Sequence, residues 1–261
     1  MNQYLATAIA AARAAGGRQR QSYEQTHLIE FKGEINLVTE VDKACEELIV
    51  SAIRTAYPDH DIIAEEEDYA RRGSSSVWII DPLDGTTNYA HGFPWFCVSI
   101  ALEQEGEVVL GVIYQPFTDE LFTATKGGGA WLNGRPIRVS QRSPLRSCLL
   151  ATGFPYDRTP DNENNFAHFY NFQFTARAIR RAGSAALDLA CVAAGRLDGY
   201  WECKLNPWDV AAGSLIVREA GGRVSGYGGE TYDIRNHRIV ASNGLIHDEI
   251  LAVLAQKEGG R

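Results

Sequence analysis

No stretch of the 261 residues approaches the roughly 20 consecutive apolar side chains that span a bilayer. The opening Met1-Asn2-Gln3-Tyr4 has neither the basic start nor the apolar run of a signal peptide, so the expectation is a cytoplasmic chain without membrane contacts. Cysteine is scarce, odd in number and scattered (Cys45, Cys97, Cys148, Cys191, Cys203). With no Cys-x-x-Cys pair, zinc-ribbon and dithiol chemistry are excluded, and the five read as small buried residues of a reduced compartment. The six histidines (His27, His60, His91, His168, His237, His247) show no metal-ligand spacing and read as surface or packing residues, with His91 alone a candidate for lining a cleft. Neither a Ser-His-Asp arrangement nor Gly-x-Ser-x-Gly occurs, which argues against a serine hydrolase. Basic residues are outnumbered, 25 against 33 acidic, for a formal net charge of −8. A nucleic-acid surface needs clustered Lys and Arg, so that partner is excluded. An anionic substrate is repelled by such a chain unless bound cations supply local positive charge.

What the sequence does contain is one abrupt boundary, Val77-Trp78-Ile79-Ile80-Asp81-Pro82-Leu83-Asp84-Gly85-Thr86-Thr87-Asn88-Tyr89. Val77 to Ile80 are β-branched or aromatic and predict a buried strand. Pro82 disfavours the helical region for Asp81 and has no N–H, so the strand is expected to stop with Asp81 still extended. A turn then returns Asp84 to the side of Asp81 and leaves the Leu83 carbonyl free. Two carboxylates and a carbonyl within four residues are the hard-oxygen set that Mg²⁺ prefers. Gly85-Thr86-Thr87 is expected to open a turn or short helix whose N–H groups suit a phosphate. On spacing alone, a strand ending in a polar turn is an equal alternative.

At 261 residues, 45% of them apolar, the chain suffices for one unit or for two closely packed halves, about 1–140 and 141–261. Tyr4 to Arg20 predicts an amphipathic helix, Phe31 to Asn36 a hairpin or mobile loop, and Thr39 with Asp42 a capped helix ended by Pro58. Asp61 to Ala64 reads as a strand running into Glu65-Glu66-Glu67-Asp68, followed by a polar loop from Tyr69 to Ser76. Phe93–Glu103, Glu107–Gln115 and Leu121–Thr125 predict consecutive antiparallel strands. Lys126-Gly127-Gly128-Gly129 lacks the Walker spacing and reads as a flexible hairpin, and Asn133-Gly134 is a hairpin turn. Further expectations are a strand at Leu149–Gly153, a helix within Asp161–Phe174, an Ala/Leu-rich helix after Gly183-Ser184-Ala185-Ala186, a strand at Leu197–Cys203, a helix opening at Pro207, a strand from Arg223, and a C-terminal helix from Leu245 to about Gln256. There are no internal repeats, and the order of elements gives an α+β or α/β protein.

Trp78 to Thr87, with a second motif Trp208-Asp209-Val210-Ala211-Ala212-Gly213, resembles the signature pair of the inositol monophosphatase family, the lithium-sensitive, Mg²⁺-dependent phosphatases. The resemblance runs from about Phe31 to Val224. It implies a layered α-β-α-β-α sandwich with mixed, largely antiparallel sheets, assembled as a homodimer. It implies one Mg²⁺ held by Glu65, Asp81 and the Leu83 carbonyl, a second by Asp81, Asp84 and Asp209, and a third, weaker ion near Glu65. Val38-Thr39-Glu40-Val41-Asp42 matches a family pattern that implies an Asp42–Thr86 dyad, with Thr86 and Glu65 orienting the attacking water. Asp84 and the N–H groups of Gly85 and Thr86 would contact the phosphate. Glu202, seven residues before Asp209, would bond sugar or inositol hydroxyls, and the Gly183-Ser184-Ala185 turn would add backbone contacts. The expected reaction is hydrolysis of inositol monophosphate or a similar small polyol phosphate. Same-fold alternatives act on fructose 1,6-bisphosphate, histidinol phosphate, NADP or phosphoadenosine phosphates, and a different class would be a regulatory protein that keeps the fold and binds a partner.

Overall fold

A computed structural model of the chain describes residues 3–23, 29–31, 37–157 and 163–256. The first helix, α1 (Gln3–Ser22), buries Ala8, Ala11, Ala12 and Ala15, the three- and four-residue spacing of a helix face. Strands β1 (Ile29–Phe31) and β2 (Leu37–Thr39) pair antiparallel, as a hairpin requires, while residues 32–36 of the expected hairpin or loop lie outside the described residues. Helix α2 (Glu40–Ala56) buries Val41, Cys45, Ile49 and Ile53 and stops before Pro58.

The next stretch folds into a seven-stranded sheet in sequence order: β3 (Asp61–Ala64), β4 (Ser76–Asp84), β5 (Cys97–Gln104), β6 (Glu107–Gln115), β7 (Glu120–Thr125), β8 (Ala130–Leu132) and β9 (Arg135–Pro136). Only the β3–β4 pair is parallel among these. Asn133 and Gly134 join β8 to β9 with positive φ of 48° and 74°, the left-handed geometry that an Asn-Gly hairpin turn requires. A short helix, α3 (Thr86–Ala90), interrupts the sheet between β4 and β5. The glycine turn after β7 is held in place instead of flexible: Gly127 and Gly129 donate their N–H groups to the two carboxylate oxygens of Glu219, each at 2.8 Å. That nest of amides is filled by the chain's own acid.

The second half carries a five-stranded mixed sheet of order β11-β10-β12-β14-β13, built from β10 (Leu149–Thr152), β11 (Ala178–Arg180), β12 (Gly199–Cys203), β13 (Arg223–Ser225) and β14 (Arg238–Ser242). Strand β10 runs parallel to both neighbours; β12, β14 and β13 are antiparallel. The expectations did not include β14, a five-residue strand paired on both sides, with β12 and β13. Helices α4 (Phe166–Gln173), α5 (Ala185–Ala193), α6 (Pro207–Glu219) and α7 (His247–Leu254) complete the chain.

Strand alternation sorts these elements into layers. Along β4, Trp78 and Ile80 pack with α1 and α2, whereas Val77 and Ile79 face α5 and α6. On the second sheet Tyr200, Ile239 and Ala241 also face α5 and α6, while Trp201 and Val240 turn to α4 and α7. The result is the expected five layers, two helices, sheet, two helices, sheet, two helices. The middle helices fit because small residues let them approach: a Cβ on Gly111 of β6 would lie 2.8 Å from the Ala212 carbonyl of α6. No helix of the described residues is long and apolar enough to cross a membrane.

Candidate active site

Strand β4 does not stop at Asp81. It continues to Asp84 through an irregularity: Asp81 lies opposite Ser99, yet Asp84 lies opposite Cys97, so three steps along β4 match two along β5. This is a β-bulge, and it occurs where Pro82 has no N–H to give to the ladder. Ser99 and Cys97, two apart, share a face of β5. The bulge therefore turns Asp84 onto the same face as Asp81, the face covered by α5 and α6. The two acids meet as the sequence led us to expect, through an extra residue in a strand and not a turn after it. Gly85 follows with φ 95°, and a Cβ there would sit 2.8 Å from the Trp95 carbonyl, so glycine alone fits. The Leu83 carbonyl, expected to be free, accepts the Thr86 hydroxyl at 3.0 Å.

The first turns of the middle helices close over this edge. Asp84 Oδ2 accepts the Ser184 hydroxyl at 2.6 Å and the Ala186 N–H at 2.7 Å, so the N-terminus of α5 holds a carboxylate of the same chain. Ser184 is also the N-cap of α5 and accepts the Leu187 N–H. At α6, Pro207 occupies the first turn and Asp209 Oδ2 accepts the Asn206 N–H at 2.6 Å, a helix cap in its own right. Glu65 directly follows β3, whose Ala64 pairs with Ile80, and so stands beside Asp81. Of the three consecutive glutamates only Glu65 lines the cavity; the Glu66 N–H is anchored to Glu46 of α2 at 2.8 Å, and Glu46 also receives the Tyr69 hydroxyl.

These residues surround a cavity of about 380 Å³ that contains Glu65, Asp81, Leu83, Asp84, Gly85, Thr86, Gly183, Ser184, Ala185, Glu202 and Asp209 in its wall. Two expectations fall outside it. Asp42, expected to pair with Thr86, is buried in the first turn of α2 and helps to raise Asp81, and the Thr86 hydroxyl donates to the Leu83 carbonyl. His91 ends α3 and does not line the cavity. Sequence reasoning missed Asp188, Arg181 and Gly153, which do. The signal for Asp188 was a lone acid in an Ala/Leu-rich helix. Gly153 gave none: it matters because a Cβ there would collide with the Glu202 carboxylate.

Electrostatics explains what such a wall needs. Asp81 is raised well above the usual carboxylate range by burial and then by Glu65, Asp84, Asp209 and Asp42, all acids. Asp209 is raised likewise by burial, Glu65 and Asp84. Burial lifts Asp84 to about 6 even against the bonds from Ser184 and Ala186, and lifts Glu202 to about 7 against the Tyr200 hydroxyl bonded to it at 2.6 Å. Like charges gathered in a dry cleft raise one another, and a divalent cation relieves them all at once. Among the described residues no three His, Cys, Asp or Glu side chains form a ready-made metal cage. The donor set is nevertheless that of Mg²⁺, which keeps several waters and takes few carboxylates directly.

Residues 1–258 match the model of the inositol monophosphatase family. It is 46% identical over 257 residues to an inositol-1-monophosphatase of Synechocystis, covering 98% of this chain and 90% of that one. A Nus factor SuhB of Pseudomonas aeruginosa is 46% identical over 250 residues, covering 93% of this chain and 92% of that protein. The solved structure of an inositol monophosphatase from Anabaena superposes with a TM-score of 0.89 at 46% identity, over 96% of this chain and 94% of that one.

Proposed function

The chain belongs to the inositol monophosphatase family, and from that premise we propose that it is a Mg²⁺-dependent phosphatase hydrolysing inositol monophosphate or a similar small polyol or sugar phosphate. The observation that carries this reading is the convergence of Glu65, Asp81, Asp84 and Asp209 on one cavity whose wall also holds Glu202. In this reading Glu65, Asp81 and the Leu83 carbonyl would hold one ion, and Asp81, Asp84 and Asp209 would hold a second. Bound there, Mg²⁺ supplies the Lewis acidity that activates water and neutralises the phosphoryl oxygens. Thr86 donates its proton to Leu83, which leaves its oxygen lone pairs to accept from the attacking water, with Glu65 as the second orienting group. Asp42 acts from behind as fixed negative charge on Asp81. Ser184 and the α5 N-terminus hold Asp84 in one orientation, so its remaining oxygen is aimed without a search through rotamers. Glu202, oriented by Tyr200, accepts hydroxyls of the leaving alcohol.

We further propose a homodimer acting in the cytoplasm, which light scattering on the purified chain and fractionation would check. The test of the reaction is phosphate release from inositol 1-phosphate and from fructose 1,6-bisphosphate at fixed Mg²⁺, for wild type and Asp84→Asn. Expected is turnover of the inositol ester, inhibition by lithium, and a fall in kcat/KM of at least about a hundredfold in the variant, the scale expected for loss of a metal-holding group. Equal activity of the two proteins would refute the metal assignment. A preference for the bisphosphate above about tenfold would reject the small-polyol choice.

A further inference from the structure

Asp188 has no part in the mechanism above, yet the structure spends a buried acid on it. It lies in the first turns of α5, 2% exposed, in the wall of the catalytic cavity. An acid at that position commonly serves the helix dipole from the solvent side. Here that account fails twice: the side chain is enclosed, and the N-terminal amide of Ala186 is taken by Asp84 and that of Leu187 by Ser184. Among the described residues no donor bonds the Asp188 carboxylate. Its acidic neighbours are Glu202 and Asp84, and the one cation acting on it is Arg181, which also acts on Glu202. A buried carboxylate without a donor is costly to the fold and is retained where a ligand brings the donor.

Glu202 sets the direction. Its Oε2 is occupied by the Tyr200 hydroxyl, and Tyr200 and Glu202, two apart on β12, both point toward the α5–α6 layer. Glu202 and Asp188 therefore bring oxygens from β12 and α5 to one part of the cavity, where burial raises both acids and Arg181 opposes that rise in each. Resting on the phosphatase reading, we propose that Asp188 is a specificity-determining residue, forming with Glu202 a two-carboxylate wall that accepts adjacent hydroxyls on the polyol part of the substrate. A wall of acceptors that must each be given a proton rejects an ester lacking hydroxyls far more strongly than an apolar pocket rejects a change of size.

The experiment compares wild type, Asp188→Asn and Asp188→Leu on inositol 1-phosphate and on p-nitrophenyl phosphate, whose leaving group has no neighbouring hydroxyl. Leucine matches the apolar composition of α5 and carries no acceptor; asparagine keeps one. Expected for Asp188→Leu is a kcat/KM on inositol 1-phosphate lower by about ten- to a hundredfold, chiefly through KM, with Asp188→Asn in between. Activity on the aryl ester should stay within about twofold, half-saturating Mg²⁺ should not move, and Tm should hold or rise as the buried acid is removed. Equal losses on both esters, a raised Mg²⁺ requirement, a lowered Tm, or no loss on inositol 1-phosphate would overturn the assignment. Wild type that cleaves the aryl ester and no polyol phosphate would overturn the substrate reading and this inference together.

Discussion

Gly153 shows how a site depends on a residue that carries no chemistry. It lies just past the end of β10, and the space its missing side chain leaves is filled by the Glu202 carboxylate. Alanine there must push Glu202 aside or distort the backbone of the chain after β10. We expect Gly153→Ala to lower kcat/KM for inositol 1-phosphate by about tenfold or more, about 1.4 kcal/mol of transition-state binding, while p-nitrophenyl phosphate is spared. Steady-state kinetics on the two esters checks this, and equal loss on both would point to general damage. Asp84 illustrates the opposite case, a residue whose chemistry is plain but whose orientation comes from elsewhere. Its Oδ2 is bonded by Ser184 and by the Ala186 amide, a hundred residues along the chain. Removing the hydroxyl in Ser184→Ala should raise half-saturating Mg²⁺ about tenfold with little change in maximal rate at saturating ion, as measured by titrating Mg²⁺ in the phosphate-release assay.

At the scale of elements, the site is made where strands end and helices begin. The bulge in β4 places two acids on one face, Glu65 follows the end of β3 alongside, and α5 and α6 bring their first turns to the same edge. Glu46 of α2 fastens the loop after β3 by accepting the Glu66 amide and the Tyr69 hydroxyl, with the Arg54 guanidinium over the Tyr69 ring. Glu46 is itself buried and held above the usual carboxylate range by desolvation, opposed by those same bonds. Truncation in Glu46→Ala frees the loop that carries Glu65. The expected outcome is a loss of about 1–3 kcal/mol in denaturant unfolding, the range for stranding buried partners, together with a weaker Mg²⁺ response. Stability unchanged from wild type would show that the loop is held by other contacts.

For the molecule as a whole, the five layers bury most of the apolar residues in the described strands of the two large sheets, and they also bury polar groups that set the pH range of stability. His247, at the start of α7, lies between the hydroxyls of Ser225 and Ser242, each at 2.8 Å from one ring nitrogen. Burial, helped by Arg223, lowers it from 6.5 to about 4. Above pH 6.5 the ring is neutral in both folded and unfolded chains. Between 6.5 and about 4 the unfolded chain takes up a proton that the folded one refuses, so stability falls with pH across that window and the effect levels off below it. Thermal melts from pH 7 to 4.5 should show this fall, and His247→Gln should lose that part of the slope while melting lower at pH 7.

Much of this arrangement was legible in the chain. Trp78 to Thr87 and Trp208 to Gly213 stood out by their resemblance to a pair of family motifs, since spacing alone left a polar turn as an equal reading of the first, and the order of strands and helices followed from period and turn residues. Strand β14 was not, because Arg238–Ser242 is short and its partners on both sides come from β12 and β13. Nor was the route by which Asp84 reaches Asp81, since a bulge is decided by the register against β5, or the Thr86 bond to Leu83, which is decided by the turn at Gly85. Asp188, Arg181 and Gly153 acquire meaning only from what faces them. Composition, period and motif thus determined which residues were candidates for the site and which elements carry them; the packing of two sheets on a shared pair of helices decided which side chains meet around the cavity, because contact between residues a hundred positions apart is a property of layers and not of neighbours in sequence.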